Sequence, residues 1–250
     1  MMYLEEKSNV WQFWGTFLWG LVIIVLLLLG QVLPIWLYLQ FIGDAPESMN
    51  AFIEFLETIE TDAFLISLSA IGSAIIVVPL VLLIAKFKRG SNLQEYFGFY
   101  KISWKTFASW MGILVLLLVF ETFFLGALGV EETPSFMMNI EFPTIYSMWI
   151  LVFAVVFMAP LIEEVVFRGF LLKGFSKSFI GVSGAVVITS ALWAMMHMQY
   201  EKEYVLVIFV VGIVFGIARI HTNSILTPMI MHFFMNLIAS VGLFYEKGMV

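Results

Sequence analysis

The sequence predicts an all-α protein that crosses a lipid bilayer as a polytopic bundle of about seven transmembrane helices, with a cytoplasmic N-terminus. Of its 250 residues, 62% are hydrophobic and only 12% are charged, and the mean hydropathy is +1.03. Soluble domains are about half apolar and about a quarter charged. In addition, apolar stretches long enough to cross hydrocarbon recur along the chain between charged segments.

Seven apolar segments approach the roughly 20 residues that a helix needs to cross the hydrocarbon core. They are residues 12–37, 63–85, 106–127, 145–170, 179–199, 204–220 and 224–245. The first is longer than a span requires and contains Pro34, so we expect it to kink or to end near Trp36 and Tyr38. The sixth is the shortest, and its Gly212 and Gly216 form a small-xxx-small pair that favours close helix packing.

The connecting segments differ in charge, and this difference predicts the orientation. Segments 42–62 and 128–144 contain no Lys or Arg, whereas 86–105 and 168–177 contain eight of the twelve in the chain. With seven helices and the N-terminus inside, ten basic residues are cytoplasmic, which agrees with the positive-inside rule. The cytoplasmic set is Lys7, Lys86, Lys88, Arg89, Lys101, Lys105, Arg168, Lys173, Lys177 and Arg219, and the external residues are Lys202 and Lys247. We also expect a short amphipathic helix at the cytoplasmic interface within 86–105.

The composition excludes several kinds of site. The chain contains no cysteine, so it forms no disulfide, no zinc–thiolate site and no cysteine nucleophile. Its net charge is −6 and its twelve basic residues form no continuous run, so we expect no nucleic-acid partner. The expected partners are the lipid bilayer and a peptide or membrane-protein substrate.

Ionisable side chains inside the spans are candidate functional residues, because each costs at least about 2.5–3.5 kcal/mol on insertion scales. The stretch APLIEEVVFRGFLL, residues 159–172, contains Glu163, Glu164 and Arg168. Residues four apart share a helix face, whereas neighbours diverge by roughly 100°. We therefore expect Glu164 and Arg168 to form an ion pair, while Glu163 has no partner on its own helix and is the reactive candidate. Glu121 belongs to no such motif and is given no catalytic role.

Two further motifs supply imidazoles and a carboxamide. His197 lies late in the fifth span, one turn after Trp193, and His232 and Asn236 stand four apart in the seventh. Each residue alone also fits a structural role, such as an interhelical hydrogen bond. Together with Glu163, these residues supply the groups that hydrolysis needs. A general base takes a proton from water, and hydrogen-bond donors stabilise the developing oxyanion.

The three motifs in this order resemble those of the CPBP family of intramembrane proteases, which includes CAAX-processing and bacterial Abi-type proteins. They read EEVVFR at 163–168, WAMMH at 193–197 and HFFMN at 232–236. The resemblance covers about 145–240, the expected catalytic core of a single integral membrane domain, 1–250, in which 1–144 supplies further helices and loops. Family members usually carry phenylalanine at the position of Trp193, which is a change between aromatic packing residues.

The resemblance implies endoproteolysis of a membrane-associated protein or peptide, near the cytoplasmic side of the membrane. By position, it implies Glu163 as the base that activates water with His197 as its partner, and His232 with Asn236 as the oxyanion pair. Glu164 and Arg168 match positions that support the site. The compact length favours a prokaryotic plasma membrane.

The family has been described both as metalloproteases and as metal-independent glutamate proteases. A catalytic zinc needs about three good ligands, and Asn236 is a poor one. We therefore favour a glutamate mechanism without a cofactor. If a zinc ion is bound, the expected ligands are Glu163, His197 and His232.

Positions along the helices predict a distortion in the fifth span. Glu163 lies ten residues before Lys173, which is about 15 Å at 1.5 Å per residue, whereas His197 lies about 27 Å into its own span. The two side chains meet only if that span starts late, is tilted or takes a re-entrant course. We expect it to begin beyond Ser183, with residues 176–182 lying along the interface.

Two other functions fit some of these features. Intramembrane Glu and His also mark transporters and proton relays, but transporters commonly have paired halves, and here all the charged motifs fall in the second half. A non-catalytic immunity or binding protein on the same scaffold is the other alternative.

Overall fold

The computed structural model describes residues 9–43, 46–131 and 133–249. Of the described residues, 80% are helical, and no strand occurs among them. In chain order the helices are α1 Phe13–Ile42, α2 Met49–Thr61, α3 Ala63–Phe87, α4 Leu93–Phe97, α5 Trp104–Ala127, α6 Ser135–Met138, α7 Ile145–Ser176, α8 Gly181–Met195, α9 Lys202–Thr222 and α10 Leu226–Glu246. The predicted all-α class is confirmed.

The helices α1, α3, α5, α7, α9 and α10 are long and apolar enough to cross a membrane. The protein is therefore an integral membrane protein built as a polytopic helical bundle. The predicted fifth span is only the 15-residue helix α8. At 1.5 Å per residue it is about 22 Å long, which is shorter than the hydrocarbon core. The shortest predicted span, 204–220, is instead part of a full 21-residue helix, α9.

Three details of the amino-terminal half add to or correct the prediction. Helix α1 does not end near Trp36 but continues through Pro34 to Ile42. The pyrrolidine ring packs against Gly72 of α3, where no side chain obstructs it. The acidic segment 42–62 contains α2, whose first turn is capped by the Ser48 hydroxyl. The predicted short helix in 86–105 is α4, and its aromatic side chains, Tyr96 and Phe97, are buried in the bundle.

The two ends of the bundle carry opposite charge. At one end, the backbone N–H of Ile225 donates to Gly98, which joins the α9–α10 turn to the segment after α4. We call this the basic end because it carries Lys86, Lys88, Arg89, Lys101, Lys105, Lys173, Lys177 and Arg219. At the other, acidic end, Ala63 N–H donates to Glu141, and Lys247 Nζ donates to Met138 O at 2.7 Å. Lys7 lies outside the described residues, and Arg168, predicted to be cytoplasmic, is buried within α7.

Helix α7 runs through the middle of the carboxyl-terminal half and contacts α3, α8 and α10. Helix α8 packs closely on α9 along the face that carries Gly212 and Gly216. A Cβ atom on Gly212 would lie 3.0 Å from both Ser190 Cβ and Trp193 Cε3. The predicted close packing is therefore confirmed, and it brings Trp193 of α8 into the core beside α7.

Candidate active site

The residues of the first motif lie on a helix that changes its hydrogen-bond pattern. Helix α7 alternates between α-helical and π-helical turns, with π-helical segments at Ala154–Met158 and Glu164–Leu171. Between them, Pro160 has no N–H to donate to the carbonyl four residues back, and Ala159 N–H bonds the carbonyl of Ala154, five residues back. Such π-turns often occur at functional sites. Glu163 and Glu164 lie at the boundary between the second α-helical turn and the second π-helical segment.

Glu164 is completely buried and paired. Arg168 Nη1 lies 2.9 Å from Glu164 Oε1, and the two side chains are 0% and 1% exposed for Glu164 and Arg168. The guanidinium carbon of Arg168 also lies 4.3 Å from the ring centre of Trp193. The predicted ion pair is confirmed, and it is sealed inside the core because an aromatic ring covers the cation.

Glu163 has a different environment although it is the next residue. Its side chain keeps 14% exposure, and no cation lies at bonding distance within the described residues. The indole Nε1–H of Trp193 donates a hydrogen bond to Glu163 Oε2. His232 Nε2 lies 3.9 Å from the same oxygen, which is too long for a hydrogen bond. Glu163 is therefore the partly exposed carboxylate of the pair.

His232 lies between the two glutamates. Its Nδ1 is 3.0 Å from Glu164 Oε1, and its Nε2 faces Glu163. The Glu164 carboxylate pairs with Arg168 and acts as an acceptor, so we assign the bonding proton to Nδ1 of the imidazole. The ring is only 2% exposed, and its plane is nearly perpendicular to that of Trp193, at 81°. One imidazole thus connects the buried carboxylate with the accessible one.

His197 lies in the turn that follows α8, because that helix ends at Met195. Its Nδ1 is 2.9 Å from the carbonyl oxygen of Trp193, and the two rings are 5.3 Å apart between centres. Trp193 also donates its indole Nε1–H to Glu163. The indole of Trp193 therefore lies between the imidazole of His197 and the carboxylate of Glu163.

The predicted start of the fifth span beyond Ser183 is wrong, since α8 begins at Gly181. The two motifs meet for another reason: α7 continues to Ser176 rather than ending near 170. Glu163 is thus thirteen residues from the end of α7, and Trp193 is twelve residues from the start of α8. The tight turn between these antiparallel helices places the two residues at the same level.

Tyr200 is a site neighbour that sequence reasoning missed. Its ring stacks on His197 with 5.9 Å between centres, and Phe136 of α6 packs edge-on against its other side. Burial raises the pKa of Tyr200 to about 12, and the negative charge of the nearby Glu163 adds to the rise. The only feature of the sequence that pointed to Tyr200 as a site residue was its position three residues after His197.

Asn236 contacts the backbone of α7, whereas His232 contacts the glutamate side chains. Its Nδ2 donates to the carbonyl oxygen of Val155 at 2.8 Å, within the first π-helical segment of α7. This bond ties α10 to α7 one turn away from His232. A carboxamide has two N–H hydrogens, so the Val155 bond uses one of them.

The predicted metal ligands do not fit a metal site. Within the described part of the chain, no group of three or more His, Cys, Asp or Glu side chains is placed to hold a metal ion. The Nδ1 atoms of His197 and His232 are bonded to Trp193 O and Glu164 Oε1, so only the Nε2 atom of each imidazole would be available to a metal ion.

The segment that contains the three motifs also matches a known protein family. Residues 145–238 match the sequence model described as "Type II CAAX prenyl endopeptidase Rce1-like", which is consistent with the CPBP resemblance and confirms it. The chain is also 35% identical over 77 residues to the "Uncharacterized 24.3 kDa protein" of Escherichia coli. That similarity covers 30% of this chain and 36% of the relative, so it spans about a third of either protein. No solved structure matches the chain.

Proposed function

We propose, on the premise that residues 145–238 form an Rce1-like core of the CPBP type, that the protein is an intramembrane endopeptidase. The observation that carries this proposal is the contrast between two adjacent glutamates. Glu164 is neutralised inside the core, whereas Glu163 is partly accessible and held by a neutral donor. A carboxylate in that position is suited to act as a general base.

In the proposed reaction Glu163 takes a proton from a water molecule, and the water oxygen attacks the carbonyl carbon of the peptide bond. The proton then passes to the nitrogen that leaves as an amine when the C–N bond breaks. His197 helps to orient the water. Its Nδ1 must donate to Trp193, because a carbonyl oxygen only accepts, so its Nε2 is left as an acceptor for the water.

The proposed oxyanion donors are His232 and Asn236. In this role both nitrogens of His232 carry a proton, with Nδ1 donating to Glu164 and Nε2 donating to the oxyanion. Asn236 contributes the amide hydrogen that Val155 does not use. Preorganised donors of this kind contribute a large part of catalysis in acyl transfer because they need no reorganisation during the reaction.

The mechanism is proposed to be metal-independent, supported by the described residues, in which no group of three or more His, Cys, Asp or Glu side chains is placed to hold a metal ion. The proposed location is a prokaryotic plasma membrane with the basic end of the bundle in the cytoplasm, supported by the positive-inside rule. The proposed substrate is a membrane-associated protein or peptide, and the site is reached from the cytoplasmic side.

The test is cleavage by purified protein in lipid vesicles. Transmembrane and membrane-anchored peptides, with and without a prenylated CAAX end, are incubated with the protein, and the products are identified by mass spectrometry. We expect Glu163→Gln to lower kcat by about 100- to 10,000-fold, the range of general-base catalysis. Glu121→Gln is the matched control, since Glu121 is a glutamate on α5 that belongs to none of the three motifs, and it should cleave like the wild type.

Each outcome has one meaning. Equal cleavage by the wild type and Glu163→Gln would remove the proposed function. Loss of cleavage in a chelator, restored by added zinc, would overturn the metal-independent mechanism alone. Movement of protons or solute across the vesicle membrane without any cleavage would establish the transporter instead.

A further inference from the structure

We propose that Trp193 is a positioning residue for the catalytic base: its indole N–H holds Oε2 of Glu163 and leaves Oε1 to face the water. This inference rests on the proposed function and deepens it. It also changes the interpretation of Trp193, because the sequence predicted only an aromatic packing residue at this position.

The indole is held rigidly before it makes any polar contact. Trp193 is 1% exposed and is the largest of the fully buried side chains in the described residues. Gly212 of α9 approaches its Cε3 so closely that even a methyl group there would lie 3.0 Å away. Phe215 packs against the ring with 5.9 Å between centres. The N–H therefore has one available direction, toward Glu163.

The polar contacts make this ring the common neighbour of the other site residues. Its edge bonds Glu163, and the Arg168 guanidinium covers one face. The rings of His197 and His232 both lie 5.3 Å from it and nearly perpendicular to it. A phenylalanine would keep most of these ring contacts but would lose the bond to the carboxylate.

The hydrogen bond from the Trp193 indole fixes the orientation of the Glu163 carboxylate. An indole nitrogen donates and never accepts, so Oε2 of Glu163 is fixed as the acceptor of this bond. The carboxylate is thereby prevented from rotating toward His232 Nε2, which is only 3.9 Å away. Because Trp193 touches the base and not the substrate, loss of the bond should lower kcat and leave KM largely unchanged.

The first test replaces only the donor. Trp193→Phe removes the N–H and part of the ring, and incorporation of 3-benzothienylalanine at position 193 replaces the N–H with sulfur in a ring of nearly the same shape. We expect both variants to lower kcat by about 10- to 100-fold, the effect of losing a hydrogen bond to a charged group, with little change in KM. Trp104→Phe is the control, because Trp104 is 76% exposed at the start of α5.

The second test needs no substrate. The ultraviolet resonance Raman difference between the wild type and Trp193→Phe isolates the signal of this one tryptophan, which reports the hydrogen bonding of its N–H. In Glu163→Ala we expect that signal to shift toward a weakly bonded indole, whereas Glu121→Ala should leave it unchanged.

These outcomes separate the inference from the proposed function. A benzothienylalanine protein with full activity, while Glu163→Gln remains inactive, would overturn the positioning role and keep the protease. An indole signal that does not respond to Glu163→Ala would overturn the bond itself. Absence of any Glu163-dependent cleavage would overturn the proposed function, and the positioning role would fall with it, even if the Raman shift showed that the bond exists.

Discussion

At the scale of single residues, the site depends on two neighbouring glutamates with different partners. On a helix, adjacent side chains point in directions that differ by roughly 100°. Glu164 therefore faces the core, where Arg168 Nη1 and His232 Nδ1 lie within 3.0 Å of its Oε1. Glu163 faces the edge of that core and keeps 14% exposure. The same residue type thus serves as a structural anion at one position and as the proposed base at the next.

The buried ion pair gives a stability prediction. Arg168→Met leaves the Glu164 charge without its cation in a site with 0% exposure, so we expect a loss of about 3–5 kcal/mol in the free energy of unfolding. The double variant Arg168→Met with Glu164→Gln removes the stranded charge and should recover much of that loss. Thermal unfolding in detergent measures both.

The ion-pair prediction has a clear control. Lys202→Met removes a cation whose side chain is 91% exposed, and it should leave the unfolding temperature nearly unchanged. If the double variant were as unstable as Arg168→Met alone, the loss would come from packing around Trp193 rather than from an unpaired charge.

At the scale of helices, α8 and α9 approach each other closely enough to hold the indole. The contact uses Gly212 against Ser190 and Trp193, and Gly216 against Val186. Helices approach this closely in membranes where small residues line both surfaces, because lipid supplies no hydrophobic force to press them together. Helix α8 is short, so it depends on this interface more than a full span would.

A methyl group at the interface should therefore be destabilising. Gly212→Ala places a Cβ 3.0 Å from Ser190 Cβ and Trp193 Cε3, and we expect overpacking to cost about 1–3 kcal/mol. Activity should fall as well, because the ring must move. Thermal unfolding and the cleavage assay measure the two effects.

Gly112→Ala is the matched control for Gly212→Ala. Gly112 lies inside α5, and an added Cβ would have no atom within 4 Å. Alanine is favoured over glycine in a helix, so this variant should be as stable as the wild type or slightly more so. Equal losses in both variants would show that α8 and α9 do not depend on close contact at Gly212.

At the scale of the whole molecule, the ends of the bundle differ in charge. Eight of the eleven described Lys and Arg residues lie at the basic end. At the opposite end, the segment around α6 is anchored by Glu201, Glu246 and Lys247. Basic loops remain in the cytoplasm during insertion. This division therefore predicts which end of the protein faces the cytoplasm.

The orientation can be measured directly because the chain has no cysteine. Gln94→Cys places a thiol at the basic end and Asn139→Cys places one at the acidic end, and both positions are exposed and uncharged. In intact cells, a membrane-impermeant maleimide should label Asn139→Cys and should reach Gln94→Cys only after permeabilisation. The reverse pattern would contradict the predicted topology.

Sequence reasoning was most successful where a property depends on local spacing. The four-residue separation of Glu164 and Arg168 predicted their ion pair, which the structure confirms. The catalytic roles of Glu163, His197, His232 and Asn236 stay predictions. The bond between Trp193 and Glu163 was missed although a signal was present, since tryptophan carries a donor that phenylalanine lacks. Nothing in the sequence indicated the contact of Asn236 with Val155, because the spacing of residues along α10 contains no information about α7.

The sequence by itself determined that this protein is a helical membrane bundle, which residues pair along one helix, and which stretch carries the family motifs. These properties follow from hydropathy and from the period of the helix, both of which are local. Only the tertiary structure decided that α8 is short, that α7 contains π-helical turns, and that one indole joins Glu163 to His197 and His232. Those features depend on how separate helices pack, and two helices meet at a level set by the full length of each and by the turn between them.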